Sequence, residues 1–239
     1  MTVVEQKLKS PFPYFGGKSR IAHEVWARFG DVPNYVEPFA GSLAVLLSRP
    51  TPPRFETVND VDCFLTNFWR ALRDDPDGVA QWADYPVSEI DLHARHRWLV
   101  EQHDFIEAMR SDPDYYDVKI AGWWVWGICA WIGNGWCQDA TYRKLPSLRR
   151  SGIHRTTIAD LHTYFAALST RLRRVHVCCG DWMRMCGYSS TTHLGTTAVF
   201  LDPPYGKQTG RNDGGYAFEV GDVTRDVHEW CVENQDNPK

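Results

Sequence analysis

Four short apolar runs, each ending at or near an acid, constrain this 239-residue chain more than any other feature. They are Tyr35–Glu37, Phe55–Asn59, Val175–Cys178 and Ala198–Leu201, and the acids at their ends are Glu37, Asp60, Asp181 and Asp202. Apolar runs this short, bounded by Gly, Pro and polar residues, are strands. Segments with helical spacing lie around them, at Ser19–Phe29, Ser42–Ser48, Phe64–Arg73 and Asp160–Arg174. Alternation of strand and helix predicts an α/β fold with a parallel sheet. The carboxyl ends of such strands line one crevice, which is where ligands bind. Any one of the four acids is as readily a helix N-cap. Four carboxylates crowded together would repel one another unless they met hydrogen-bond donors or a cation. Magnesium is one such cation, but the acids belong to separate strands and have aromatic neighbours. A ligand with ribose hydroxyls, an amine and a positive centre suits them better.

The last run leads into Asp202-Pro203-Pro204-Tyr205. Two prolines have fixed φ and no N–H, so the chain leaves the sheet stiffly with its carbonyls available as acceptors. A carboxylate, a rigid carbonyl and an aromatic face together suit a flat aromatic amine. Glu37-Pro38-Phe39-Ala40-Gly41-Ser42 reads as strand, tight turn and helix start, with Gly41 admitting a ligand close to the backbone. It lacks the full dinucleotide fingerprint. Phe15-Gly16-Gly17-Lys18 is superficially a phosphate loop, but the required spacing is absent and no strand precedes it.

No apolar run approaches the length of a membrane span, and the amino terminus lacks a signal-peptide pattern. The seven cysteines show no CxxC spacing, which predicts reduced thiols, a cytoplasmic location and no structural metal. The net charge of −4 is unevenly spread. Residues 74–117 hold twelve acids against three arginines, whereas residues 141–174 hold eight Lys or Arg against the single acid Asp160. Such asymmetry creates an anion-binding patch. The tryptophans of Ala121–Cys137 occur at helical spacing in an apolar segment and are expected in the core. Residues 206–215 read as a polar loop and Val223–Val232 as a last helix.

PYFGGK at 13–18, YVEPFAGSLAV at 35–45, VND at 58–60 and LDPPYG at 201–206 resemble, in this order, the Dam-type (alpha-class) DNA adenine-N6 methyltransferases. The resemblance covers roughly residues 11–75 and 175–206. It implies a Rossmann-like, S-adenosylmethionine-dependent sheet with an inserted, mainly helical target-recognition domain. Residues 1–75 and 161–239 would form the catalytic domain and residues 76–160 the insertion. Tyr14, Lys18, Glu37, Phe39 and Gly41 would meet the cofactor, with Asp60 on its ribose and Asp181 near its adenine. Asp202, Pro203, Pro204 and Tyr205 would hold the target adenine, with Asp202 also facing the cofactor. In the insertion, Arg143, Lys144, Arg149, Arg150, His154 and Arg155 are candidates for DNA phosphate or guanine. Duplex DNA is the implied partner, a restriction endonuclease a further one, and no membrane is involved.

The chain also departs from the pattern. Many relatives have another glycine where Ser42-Leu43 stands, and the family's last sheet strands are expected to be missing after Ala198–Leu201. That predicts four strands, with this one at an edge. The alternatives to DNA methylation are an inactive, truncated DNA-binding remnant, or methylation of RNA adenine or a protein glutamine amide.

Overall fold

The computed structural model describes residues 8–14, 16–51, 54–112, 114–139, 143–204 and 223–235. Strands β1 (Asn34–Glu37), β2 (Phe55–Asp60), β3 (Val175–Cys179) and β4 (Thr197–Val199) form one sheet. Its order is β3-β2-β1-β4 and every pairing is parallel. Among the described residues β4 is therefore an edge strand. It is shorter than the apolar run suggests, although Phe200 still donates its N–H to Val36. Central β1 is buried along its whole length, as expected of a strand covered on both faces.

Among the described residues there are eight helices: α1 (Ala22–Phe29), α2 (Cys63–Asp74), α3 (Pro76–Ala83), α4 (Glu89–Val100), α5 (Asp104–Ser111), α6 (Val118–Ala130), α7 (Leu161–Leu172) and α8 (Val223–Asn234). The chain is thus a mixed α/β protein of Rossmann-like type. Side chains of Asp62, Asp75, Asp117 and Asp160 accept from backbone N–H groups at the starts of α2, α3, α6 and α7. These are the donors a helix leaves unsatisfied.

Ser42–Ser48 differs from expectation, because only Leu46–Ser48 is helical and that is a 3-10 turn. Gly41 (φ 47°) and Leu43 (φ 55°) take left-handed conformations, which interrupt an α-helix. The segment is held instead by side chains from elsewhere, with Trp26 Nε1 donating to Val45 O and Arg171 to Leu46 O.

One apolar core runs from the strands into the helices between residues 76 and 130. Tyr35, Val58 and Val175 share it with Val79, Leu92, Leu99 and Trp124. Trp124, Trp126, Trp131 and Trp136 are buried there, and Gly127 makes room for the ring of Trp136, which a Cβ would strike at 1.9 Å. A smaller cluster joins Trp182 and Cys186 to Val223 and Val227 of α8, against Phe39 and Leu201. No described helix is long and apolar enough to cross a membrane.

Candidate active site

The carboxyl ends of the strands surround one cavity of ≈ 260 Å³. Tyr14 and Lys18 line it from the segment before α1, and Glu37, Phe39 and Gly41 from the turn after β1. Asp60 closes β2, Asp181 follows β3, and Asp202 and Pro204 follow β4. All eight cofactor candidates from the sequence are therefore neighbours here, although up to 188 residues separate them. Pro203 is half-buried, and Tyr205 and the 206–215 loop lie outside the described residues.

Local folding explains how these groups are held. Asn59 Nδ2 donates to Pro38 O at 3.0 Å and to Gly180 O at 2.9 Å, so one side chain ties together the turns after β1 and β3. Asp60 accepts from the N–H of Gly41 at 3.0 Å and of Asp62 at 3.1 Å, which fixes the β1 turn to β2. Gly41 also receives Trp69 Nε1 on its carbonyl. A Cβ at Gly41 would stand 2.6 Å from the Tyr14 ring, so glycine permits both the turn and the close approach of that aromatic. Asp181 caps the short turn Trp182–Met185, the ordinary role such an acid can play. Phe39 and Trp182 face each other with ring centroids 5.7 Å apart.

The electrostatics are those of a carboxylate-rich pocket. Burial pushes Glu37 up to about 8, against a hydrogen bond from the Tyr35 hydroxyl at 2.9 Å. Burial, aided by the charge of Asp60, pushes Asp62 up to about 7. Asp60 and Asp202 are raised for the same first reason, burial. Lys18 opposes the shift at Asp202, its Nζ lying 2.5 Å from Oδ2 while also donating to Gly16 O. It is the one cation among the described lining residues. The geometry thus pairs two residues that the resemblance assigned to separate partners, the cofactor carboxylate and the target amine. No described cluster of three His, Cys, Asp or Glu could hold a metal ion.

The basic candidates divide by environment. Arg143, Arg149 and Arg150 are exposed. Lys144 instead donates to the carbonyls of Ile132 and Asn134 at the end of α6. Arg155 donates to Ser10 O and the Tyr164 hydroxyl, and His154 Nε2 meets Trp126 O. These three brace the fold. Reasoning from sequence missed Asn59, Asp62 and Trp182, all of which line the cavity. The VND motif pointed to Asn59, but its two acceptors become neighbours only when the sheet forms.

No curated protein matches the chain. Residues 14–118 match the family model of the D12 class N6 adenine-specific DNA methyltransferases. That stretch contains Tyr14, Lys18, the β1 turn and the end of β2, which build much of the cavity wall. The similarity to that family thus lies over residues 14–118, where much of the cavity wall is built.

Proposed function

We propose that the chain transfers the methyl group of S-adenosylmethionine to N6 of an adenine turned out of duplex DNA. The observation that carries this reading is the convergence of the four strand ends, each with an acid, on one cavity that Asp202 also lines. The donor set suits the cofactor. Raised carboxyls at Glu37, Asp60, Asp62 and Asp202 favour a ligand bearing positive charge and hydroxyls. Tyr14, Phe39 and Trp182 offer aromatic surface to a purine, and Asn59 Oδ1 is buried without a hydrogen-bond partner. When bound, the cofactor supplies a methyl group already activated by its sulfonium.

The remaining work falls to the chain. The N6 lone pair of adenine delocalises into the ring, so the amine attacks poorly unless its N–H bonds are held out of that conjugation. Asp202 accepts one N–H, and the Pro203 carbonyl accepts the other. Pro204 O is already taken by Thr224 Oγ1 of α8 at 3.2 Å, which anchors the diproline corner. Positioning and preorganised acceptors then supply most of the barrier reduction. Turning the base out of the duplex costs a few kcal/mol, and stacking on Tyr205 returns about 1–3 kcal/mol.

The test uses duplex DNA and methyl-labelled cofactor, with digestion to find N6-methyladenine. Asp202→Ala is expected to lower turnover at least ~100-fold while leaving DNA affinity largely intact. Turnover at the wild-type rate in that variant would remove Asp202 from the reaction and the proposal with it.

A further inference from the structure

Two cysteines at the edge of the cavity have no part in methyl transfer. Cys63 opens α2 and Cys179 ends β3, yet their Sγ atoms lie 3.7 Å apart. They are 116 residues apart in sequence, so the tertiary fold creates the contact. Cys63 is buried and Cys179 is half-buried, the arrangement of a resolving thiol behind an accessible one. Cys179 is drawn below the usual thiol range chiefly because Cys63 donates its S–H to it, and Cys63 is raised correspondingly. The other charged groups facing the pair are Asp60, Asp62 and Arg110. Elsewhere, burial raises Cys129, Cys137, Cys178 and Cys186, which keeps them as unreactive thiols.

We propose that Cys63 and Cys179 are a dithiol that hydroperoxides oxidise reversibly to a disulfide. The Cys179 thiolate attacks the peroxide O–O bond, forming a sulfenic acid and releasing the alkoxide or hydroxide. Cys63 sulfur then attacks that sulfenic sulfur, forming the S–S bond and releasing water. Together the two thiols lose two electrons and two protons, and the peroxide is reduced. A disulfide requires an S–S distance of about 2 Å, so closure draws the start of α2 toward the end of β3.

Those two elements carry cavity walls. Asp60 and Asp62 precede Cys63, Gly180 and Asp181 follow Cys179, and all four line the cavity. Asp60 and Cys179 are also register partners between β2 and β3. Closure therefore narrows the cavity on its β2–β3 side and weakens ligand binding, a consequence that rests on the cofactor reading above.

The experiment treats the full-length wild-type chain with hydrogen peroxide, blocks remaining thiols, and maps peptides without reduction. The expected product is a Cys63–Cys179 linkage, reversed by dithiothreitol and formed about tenfold faster than oxidation of exposed Cys231. In Cys63→Ser, Cys179 should stop at a sulfenic acid that a cyclic dione traps. A Cys178–Cys179 linkage, oxidation led by Cys231, or persistence of both thiols would overturn the dithiol. Calorimetry with S-adenosylmethionine should show binding about tenfold weaker after oxidation than before. Equal affinities would overturn the coupling to the cavity. Absence of binding in the reduced protein would instead overturn the cofactor reading, and the peptide map would still decide the dithiol.

Discussion

Lys18 and Asp202 are 184 residues apart in the chain, and their contact decides the protonation of the group assigned to the target amine. Burial raises Asp202, while the hydrogen bond and charge of Lys18 pull it down. Asp202 accepts an N–H best as a carboxylate, so methyl transfer should slow as pH falls through its pKa. Replacing Lys18 by Met removes the opposing influence and leaves the burial. The acidic limb of the rate profile should then move to higher pH, by about one unit or more for a close charge pair. Single-turnover methyl transfer measured against pH checks this, and an unmoved limb would show that another group titrates. Both residues were legible from PYFGGK and DPPY. Their pairing was not, because no local pattern records which strand end the first segment reaches.

The elements of the fold were more legible than the turns that join them. Each strand was signalled by a short apolar run and a polar or glycine stop. Each of the helices α2, α6 and α7 has a capping aspartate at its start. Ser42–Ser48 misled because its apolar composition reflects burial among neighbours rather than helical periodicity. Asn59 shows the same limit. It stands at the end of β2 and fastens the β1 and β3 turns through the carbonyls of Pro38 and Gly180. Asn59→Leu keeps the branched shape and loses both bonds, leaving two acceptors short of a donor. The expected cost is about 1–3 kcal/mol, read as a lower urea midpoint. Affinity for S-adenosylmethionine should fall with it, because the turns carrying Phe39, Gly41 and Asp181 would no longer be tied together. Unchanged stability would mean that backbone pairing alone sets the strand tips.

At the scale of the whole molecule, the contrast between the acidic segment 74–117 and the basic segment 141–174 was plain in the sequence, but charge counts overstate what can face DNA. Arg171 forms a two-pronged pair with buried Glu56, at 2.6 and 2.8 Å, and Arg49 joins them. Lys144 and Arg155 are committed to backbone carbonyls. Arg173 and Arg174 are exposed immediately before β3, at the opposite end of that strand from the cavity. Within the basic block of residues 141–174, that leaves Arg143, Arg149 and Arg150 as the exposed cations besides Arg173 and Arg174. Each phosphate contact adds about 0.9 to the slope of log affinity against log salt. Combined Arg143→Ala, Arg149→Ala and Arg150→Ala should therefore weaken duplex binding and flatten that slope by about 2–3. Cofactor affinity and melting temperature should hold, since none of the three lines the cavity or is buried. Arg173→Ala with Arg174→Ala should leave the slope nearly unchanged. Salt titrations of a fluorescent duplex against both variants decide the matter. If the second variant flattened the slope and the first did not, DNA would lie at the amino ends of the strands, away from Asp202, and the proposed target site would be untenable.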